Sequence, residues 1–554
     1  MFNLQEVEWV KNNLSDADLY TTDFLVTLHS SSENIANIYE EEWSDNLDTV
    51  DIIWIAENWF RDENNFDFTS VEDISMFQAL VGSNEISLGM VTRDFNALKS
   101  LSVKYNSVYL PVSANQLFLR IASKFKNIQI YDSGEIPQIN KYTAERTLSL
   151  PMLNWHYRYG VIRLLRVLQS IVYPSKFKNK IICLADWTTS ELIKTIEILS
   201  TKPSLSLKCA FFVRGFFSSK LPAFPKSVSE ILSLSAFQNK ISERHPRIDT
   251  RLIVLFHECL ENNYNRNKKI LIKAYQYYWQ FLKTYTPKAI ILPGERMDFY
   301  VILIQLCKKY KIPTYLLVDG FPFSYHRIRS LKDELNKNYL ISKVFVQGNI
   351  SVKNRNTITY LGADIIPITA PITYIYQQAA KRERKYDAII MTYFHDDSNP
   401  KARPELSVKI ILDIINLLNE FGKTKIAIKV KGELDCKYIQ QFIDSYFPSN
   451  KPIILKGMFY EHIGVSDIVV GGVSTAIAEC VIFETSYFIY EPESNGYKEE
   501  FFTQGIIGGL IPYSLTLPEL KENIRNHTGT NILSIEEREN LLFSEQGFNG
   551  LCFN

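Results

Sequence analysis

From about residue 50 the sequence repeats one theme, a short apolar run rich in Ile, Val and Tyr followed by a longer stretch of helical character. That alternation specifies a parallel sheet with crossover helices. In the first half the runs are Asp51–Ile55, Ile86–Val91, Ser107–Leu110, Ile128–Tyr131, Ile181–Ala185, Cys209–Val213, Ala289–Leu292, Thr314–Val318 and Lys343–Val346. A second series begins near residue 358, with Ile365–Thr369, Ala388–Thr392, Lys425–Val430, Pro452–Leu455, Asp467–Val470 and Ser486–Tyr490. Several runs lack period-2 alternation, as expected of strands buried on both faces. Lys268–Thr284 reads as an amphipathic helix that ends before Pro287, and two helices are expected from Leu517 onward.

A chain of 554 residues exceeds what one hydrophobic core supports, so it divides. The charged interval Gln377–Tyr386 lies between the two series, and the joint is expected between about 350 and 385. The expected organisation is an N-terminal extension or cap over 1–45, one Rossmann-like domain over 46–355, and a second over 356–554 with C-terminal helices. Lys plus Arg (61) equals Asp plus Glu (61), so no overall field draws the chain to nucleic acid. The seven cysteines are scattered, without metal-ligand spacing, and read as reduced core thiols. The polar N-terminus and the lack of a long apolar run predict a cytoplasmic protein with at most a peripheral hold on the inner face of a membrane.

The most informative stretch is Val465–Pro492. It reads as a strand, a turn at Gly471 and Gly472, the hydroxyl residues Ser474 and Thr475, a helix through Glu479 and Cys480, and a strand ending at Glu491. A helix start behind a strand offers unpaired N–H groups, and glycines let a phosphate approach closely. Such a turn falls at the carboxyl ends of parallel strands, where ligands bind. Ser474 is equally suited to cap the helix, and the two roles are compatible.

Here the chain resembles GT-B glycosyltransferases of bacterial surface polysaccharide assembly, in particular Kdo and sialic-acid transferases of capsule and lipopolysaccharide, and glycerophosphotransferases of teichoic-acid type. In those relatives a His-Pro motif and a Ser/Thr motif contact the donor nucleotide. The second is present as Gly471-Gly472-Val473-Ser474-Thr475 followed by Glu479. The first is degenerate, with Ile428-Lys429-Val430-Lys431-Gly432-Glu433 in its place. Lys343–Gly348, Leu361–Asp364 and Thr369–Pro371 resemble the connection between the domains, so the likeness spans roughly 285–495. It implies two Rossmann-like domains whose parallel sheets face across a cleft, a nucleotide-sugar donor, a glycan or lipid-linked glycan acceptor, and neither metal nor other cofactor.

A transferase also needs a base or nucleophile on the acceptor side. Glu295 follows the run Ala289–Leu292 and could accept the acceptor proton or act as nucleophile, with Arg296 steadying an anionic group. A salt-bridged helix start explains the same residues. Asp319 stands where relatives carry a His-Gly pair, followed by His326 and Arg327, and reads as a changed base or a structural turn. Asp186 reads as a cap, and His395-Asp396-Asp397 as a solvated turn.

The expected function is therefore transfer of a sugar from a nucleotide-activated donor to a bacterial surface glycan, first a CMP-linked acidic sugar such as Kdo or a sialic-acid relative. In this reading Lys429, Lys431, Gly471, Gly472, Ser474, Thr475, Glu479 and Glu491 hold the nucleotide, Glu491 by a ribose hydroxyl. A UDP-sugar or CDP-glycerol donor, a sugar-nucleotide epimerase, and a non-catalytic assembly or glycan-binding protein are the alternatives. The altered His-Pro site adds weight to the last.

Overall fold

The fold comes from a computed structural model. It describes residues 49–61, 70–112, 116–131, 181–183, 228–292, 298–317, 341–348, 364–369, 383–392, 406–430, 433–447, 451–457, 464–472, 476–482, 484–492, 511–527 and 534–542, with shorter pieces up to residue 47 and single positions such as Ser474. Early in the chain, strands β1 (Leu19–Thr21) and β2 (Ile35–Asn37) pair in parallel.

Helix α1 (Thr49–Asn58) contains Asp51–Ile55, expected as a strand. The reason is periodicity: Ile52, Ile55, Ala56, Trp59 and Phe60 are all buried, and their spacing is that of one helical face. A short antiparallel hairpin of β3 (Ser70–Val71) and β4 (Ile74–Ser75) follows. Helix α2 (Val81–Lys104) takes up Ile86–Val91, also expected as a strand. Leu88, Val91, Phe95 and Leu98 recur every three or four residues along it, and no proline or turn interrupts 24 residues. Strands β5 (Val108–Pro111) and β6 (Ile128–Tyr131) appear where expected. They form their own two-stranded parallel sheet, crossed by α3 (Gln116–Ala122).

Strand β7 (Ile181–Cys183) begins the first large sheet. Cys209–Val213 lies outside the described residues. After α4 (Val228–Ile231) and α5 (Leu234–Arg244) comes α6 (Thr250–Tyr285), which includes the expected helix Lys268–Thr284. Its 36 residues reach about 54 Å. Asp249 caps its start by accepting from Arg251 N, and hydrogen bonds from the Arg251 side chain hold the Asp249 carboxyl down at about 2.

The sheet continues with β8 (Ala289–Leu292), α7 (Asp298–Lys309), β9 (Thr314–Leu317), β10 (Lys343–Gln347) and β11 (Asp364–Ile368). Its order is β11-β10-β9-β8-β7, parallel throughout. Every residue of β8 and β9 is buried, which is why these runs do not alternate. Strand β11, grouped with the second series from sequence, belongs here. Lys343 to Gln347 pair one by one with Asp364 to Ile368.

The second large sheet comprises β12 (Tyr386–Met391), β13 (Ile426–Lys429), β14 (Ile453–Leu455), β15 (Ser466–Gly471), β16 (Ser486–Tyr490) and β17 (Tyr513–Ser514). Its helices are α8 (Leu406–Glu420), α9 (Glu433–Tyr446), α10 (Ala476–Ile482), α11 (Leu517–His527) and α12 (Ile535–Leu542), the last two as expected from sequence. All pairs are parallel, in the order β14-β13-β12-β15-β16-β17. Counted by appearance this is 3-2-1-4-5-6, the doubly wound order of dinucleotide-binding sheets. Two separate hydrophobic cores result, one within residues 38–346 and one within 388–524. The expected class, α/β with two parallel Rossmann-like sheets, is thus present. No helix among the described residues is long and apolar enough to cross a membrane.

Helix α8 packs Val408, Ile411, Ile415 and Leu418 into the second core. Burial holds the carboxyl of Asp413, on the same helix, above the ordinary range against the opposing pull of Lys409. Tyr490 is pushed up to about 12, first by burial and then by Asp413 and Glu519. A carboxyl whose folded pKa is raised binds its proton more tightly in the folded state, so ionisation costs stability as pH rises through that pKa. Asp413→Asn is expected to raise Tm at neutral pH by about 1–3 °C and to leave it unchanged near pH 3, where both forms are neutral (about pH 3, from ordinary carboxyl values). Calorimetry at the two pH values checks this.

Candidate functional site

In the doubly wound order, direction reverses between the first and fourth strands, here β12 and β15, and ligands bind outside the carboxyl ends there. The register fixes what stands at that edge. Met391 pairs with Lys429, and Ile390 with Val470, so Lys429, Met391 and Gly471 form one row across three adjacent strands. Lys429 and Gly471 are thereby two strands, about 10 Å, apart. Gly471 pairs with Ile489 on the next strand. Because side chains alternate, Lys429, Met391, Gly471, Tyr487 and Ile489 share one face of the sheet. Ile390, Ile428, Val470 and Phe488 point to the other, into the core under α8.

The turn after β15 is set by close packing. A Cβ on Gly471 would lie 2.7 Å from Met391 Cβ and 2.9 Å from Tyr487 Oη, so only glycine fits. Tyr487 Oη donates to the Gly472 carbonyl at 2.6 Å. Burial, and then the charges of Cys480 and Glu491, push this phenol well above its ordinary range. Ser474 Oγ accepts from Ala476 N at 3.3 Å, and Ile477 N donates to Ser474 O at 3.1 Å, so Ser474 does cap α10.

Lys429, the last residue of β13, is only 6% exposed, and its Nζ donates to Val430 O at 2.5 Å. Glu479 is buried on α10; beside it burial, and then the Glu479 charge, raise the Cys480 thiol. Glu491 is buried just past β16, with its N–H donating to Ser514 O. The structure therefore brings Lys429, Gly471, Gly472, Ser474, Glu479 and Glu491 to the carboxyl edge of one sheet. Glu295, Arg296, Asp319, His326, Arg327, Lys431 and Thr475 lie outside the described residues, as do Asp186 and His395-Asp396-Asp397. Sequence reading passed over Met391 and Tyr487. The signal for Tyr487 was present: it stands four residues before Glu491, on the face that alternation assigns to both.

No protein-family profile matches the chain, and no curated protein matches it. Solved structures similar to it include S. aureus MnaA with UDP, at 10% identity over 67% of this chain and 94% of that one, TM-score 0.42. UDP-GlcNAc 2-epimerase of Methanocaldococcus jannaschii with UDP-GlcNAc and UDP has 12% identity over 65% and 96%, TM-score 0.39. MurG of Acinetobacter baumannii has 10% identity over 68% and 97%, TM-score 0.34. Superpositions this loose define no family, and the fold assignment rests on strand order and register.

Gly471→Ala is expected to destabilise the second sheet and its core by about 1–3 kcal/mol, as overpacking does. Met391→Ala should not rescue it, since the clashing Met391 Cβ remains. Thermal unfolding of the single and double variants checks both statements.

Proposed function

We propose that the chain is a glycosyltransferase that binds a nucleotide-activated sugar at the carboxyl edge of the second sheet and transfers the sugar to a glycan or lipid-linked glycan. One observation carries this reading: at the switch point of a doubly wound sheet, Lys429 and the Gly471-Gly472 turn stand about two strands apart in one row. A diphosphate or phosphodiester fits that spacing, with the ammonium on one side and backbone N–H groups on the other. Charge that develops on the leaving nucleotide would be stabilised by Lys429 and Lys431. Glu491 is the proposed ribose partner, and Ser474 and Thr475 the proposed hydroxyl donors.

We assign acceptor activation to Glu295 or Asp319, with Arg296, His326 and Arg327 as substrate contacts. In the sequence Glu295 and Arg296 follow β8, and Asp319 follows β9, with His326 and Arg327 further on. The domain division proposed is 46–355 and 356–554, with β11 reaching back to the first sheet. A CMP-linked acidic sugar is the proposed donor on the sequence resemblance, and the lysines in place of the His-Pro motif make a UDP-sugar or CDP-glycerol the second candidate. Lysines at that place also fit a non-catalytic glycan-binding protein, which would show no dependence on nucleotide.

The test is a thermal-shift screen of the full chain with CMP, CDP, UDP, GDP and ADP. A ligand at a hundred times its Kd stabilises the folded chain by about 2.7 kcal/mol, a shift of several degrees. At least one pyrimidine nucleotide is expected to raise Tm, and Lys429→Met to fold and lose that shift. CMP alone supports the acidic-sugar donor, UDP or CDP the second candidate. No shift with any nucleotide overturns the proposal.

A further inference from the structure

The packing beneath the Gly471-Gly472 turn is more specific than a helix cap requires. Tyr487 pairs with Val469, two residues behind the row that holds Gly471 and Ile489. Its side chain therefore runs forward along the sheet face, across the place where a side chain at 471 would stand, and meets the carbonyl of Gly472. Met391 of β12 closes the other side of the same space. Cys480 of α10 and Glu491 at the end of β16 are near enough to act on the phenol's charge. Three adjacent strands thus enclose one buried hydroxyl.

That hydroxyl has a directional effect. Holding the Gly472 carbonyl on the phenol fixes the rotation of that carbonyl, and with it the course of the turn. Without the phenol, a peptide flanked by glycine is free to rotate, because glycine tolerates both hands of backbone.

We propose that Tyr487 is a positioning residue of the nucleotide site, fixing the Gly471-Gly472 turn on which a phosphate of the donor rests. The inference rests on the nucleotide reading above. It adds that the site's geometry is set by a side chain that does not touch the ligand, and that glycine at 471 is the complement of tyrosine at 487.

The experiment is calorimetric titration of the full chain with each nucleotide of the screen, wild type against Tyr487→Phe, well below both melting temperatures. Loss of one aligned hydrogen bond is expected to weaken nucleotide affinity about tenfold. Replacing Tyr487 with 3-fluorotyrosine keeps the phenol donor and is expected to retain affinity. Its fluorine resonance should move when nucleotide is added. If wild type and Tyr487→Phe bind equally, the positioning role is overturned and the nucleotide reading stands. If wild type binds no nucleotide, both fall. If Tyr487→Phe does not fold, the fluorine resonance decides: a shift with nucleotide supports the role, and an unmoved resonance overturns it.

Discussion

The edge of the second sheet depends on a side chain that is not there. Gly471 ends β15, and the space above its Cα is filled by Met391 from one neighbouring strand and the Tyr487 phenol from the other. Any larger residue would drive the strands apart or push the phenol off the Gly472 carbonyl. The turn, the cap at Ser474 and the start of α10 all follow from that contact, because they continue the backbone it fixes. Packing, rather than the conformational freedom of glycine, explains this residue.

A wider constraint lies behind it. Parallel sheets bury both faces, so their strands need apolar residues throughout, and polar groups are admitted only where strands end. Lys429 and Glu491 are buried at strand ends of the second sheet, while the residues before them are apolar. Buried charge at a carboxyl edge is costly unless it is partnered, which makes such positions informative about binding. At the opposite end of the same sheet, Asp467 is buried enough to resist ionisation, yet hydrogen bonds and charge from Lys423 and Arg384 hold its carboxyl low. One end of the sheet is locked by ion pairs, and the other presents a glycine turn.

Much of this was legible in the sequence, for reasons that also explain the misses. Runs such as Ala289–Leu292 and Lys425–Val430 are short, apolar and bounded by polar residues, and they are strands. Asp51–Ile55 and Ile86–Val91 look the same in a window of five or six residues. Only a longer window shows the recurrence at 52, 55, 56, 59 and 60 that makes the first of them a helix. The sheet to which Asp364–Ile368 belongs was not legible, because pairing with Lys343–Gln347 is set by tertiary packing and not by local pattern. The turn at Gly471 and the cap at Ser474 could be read from residue type. Alternation places Tyr487 on the face of Glu491, but an aromatic residue in a strand ordinarily means core, and the target of its hydroxyl appears only in three dimensions.

The proposed nucleotide site lies at the carboxyl edge of the second sheet. Hydrogen exchange of the full chain, with and without the nucleotide that binds it, tests this most directly. Slowed exchange is expected at 391–392, 429–430 and 471–477, with little change along β14 and α11. Protection confined to the first sheet, or spread evenly over both, would contradict it.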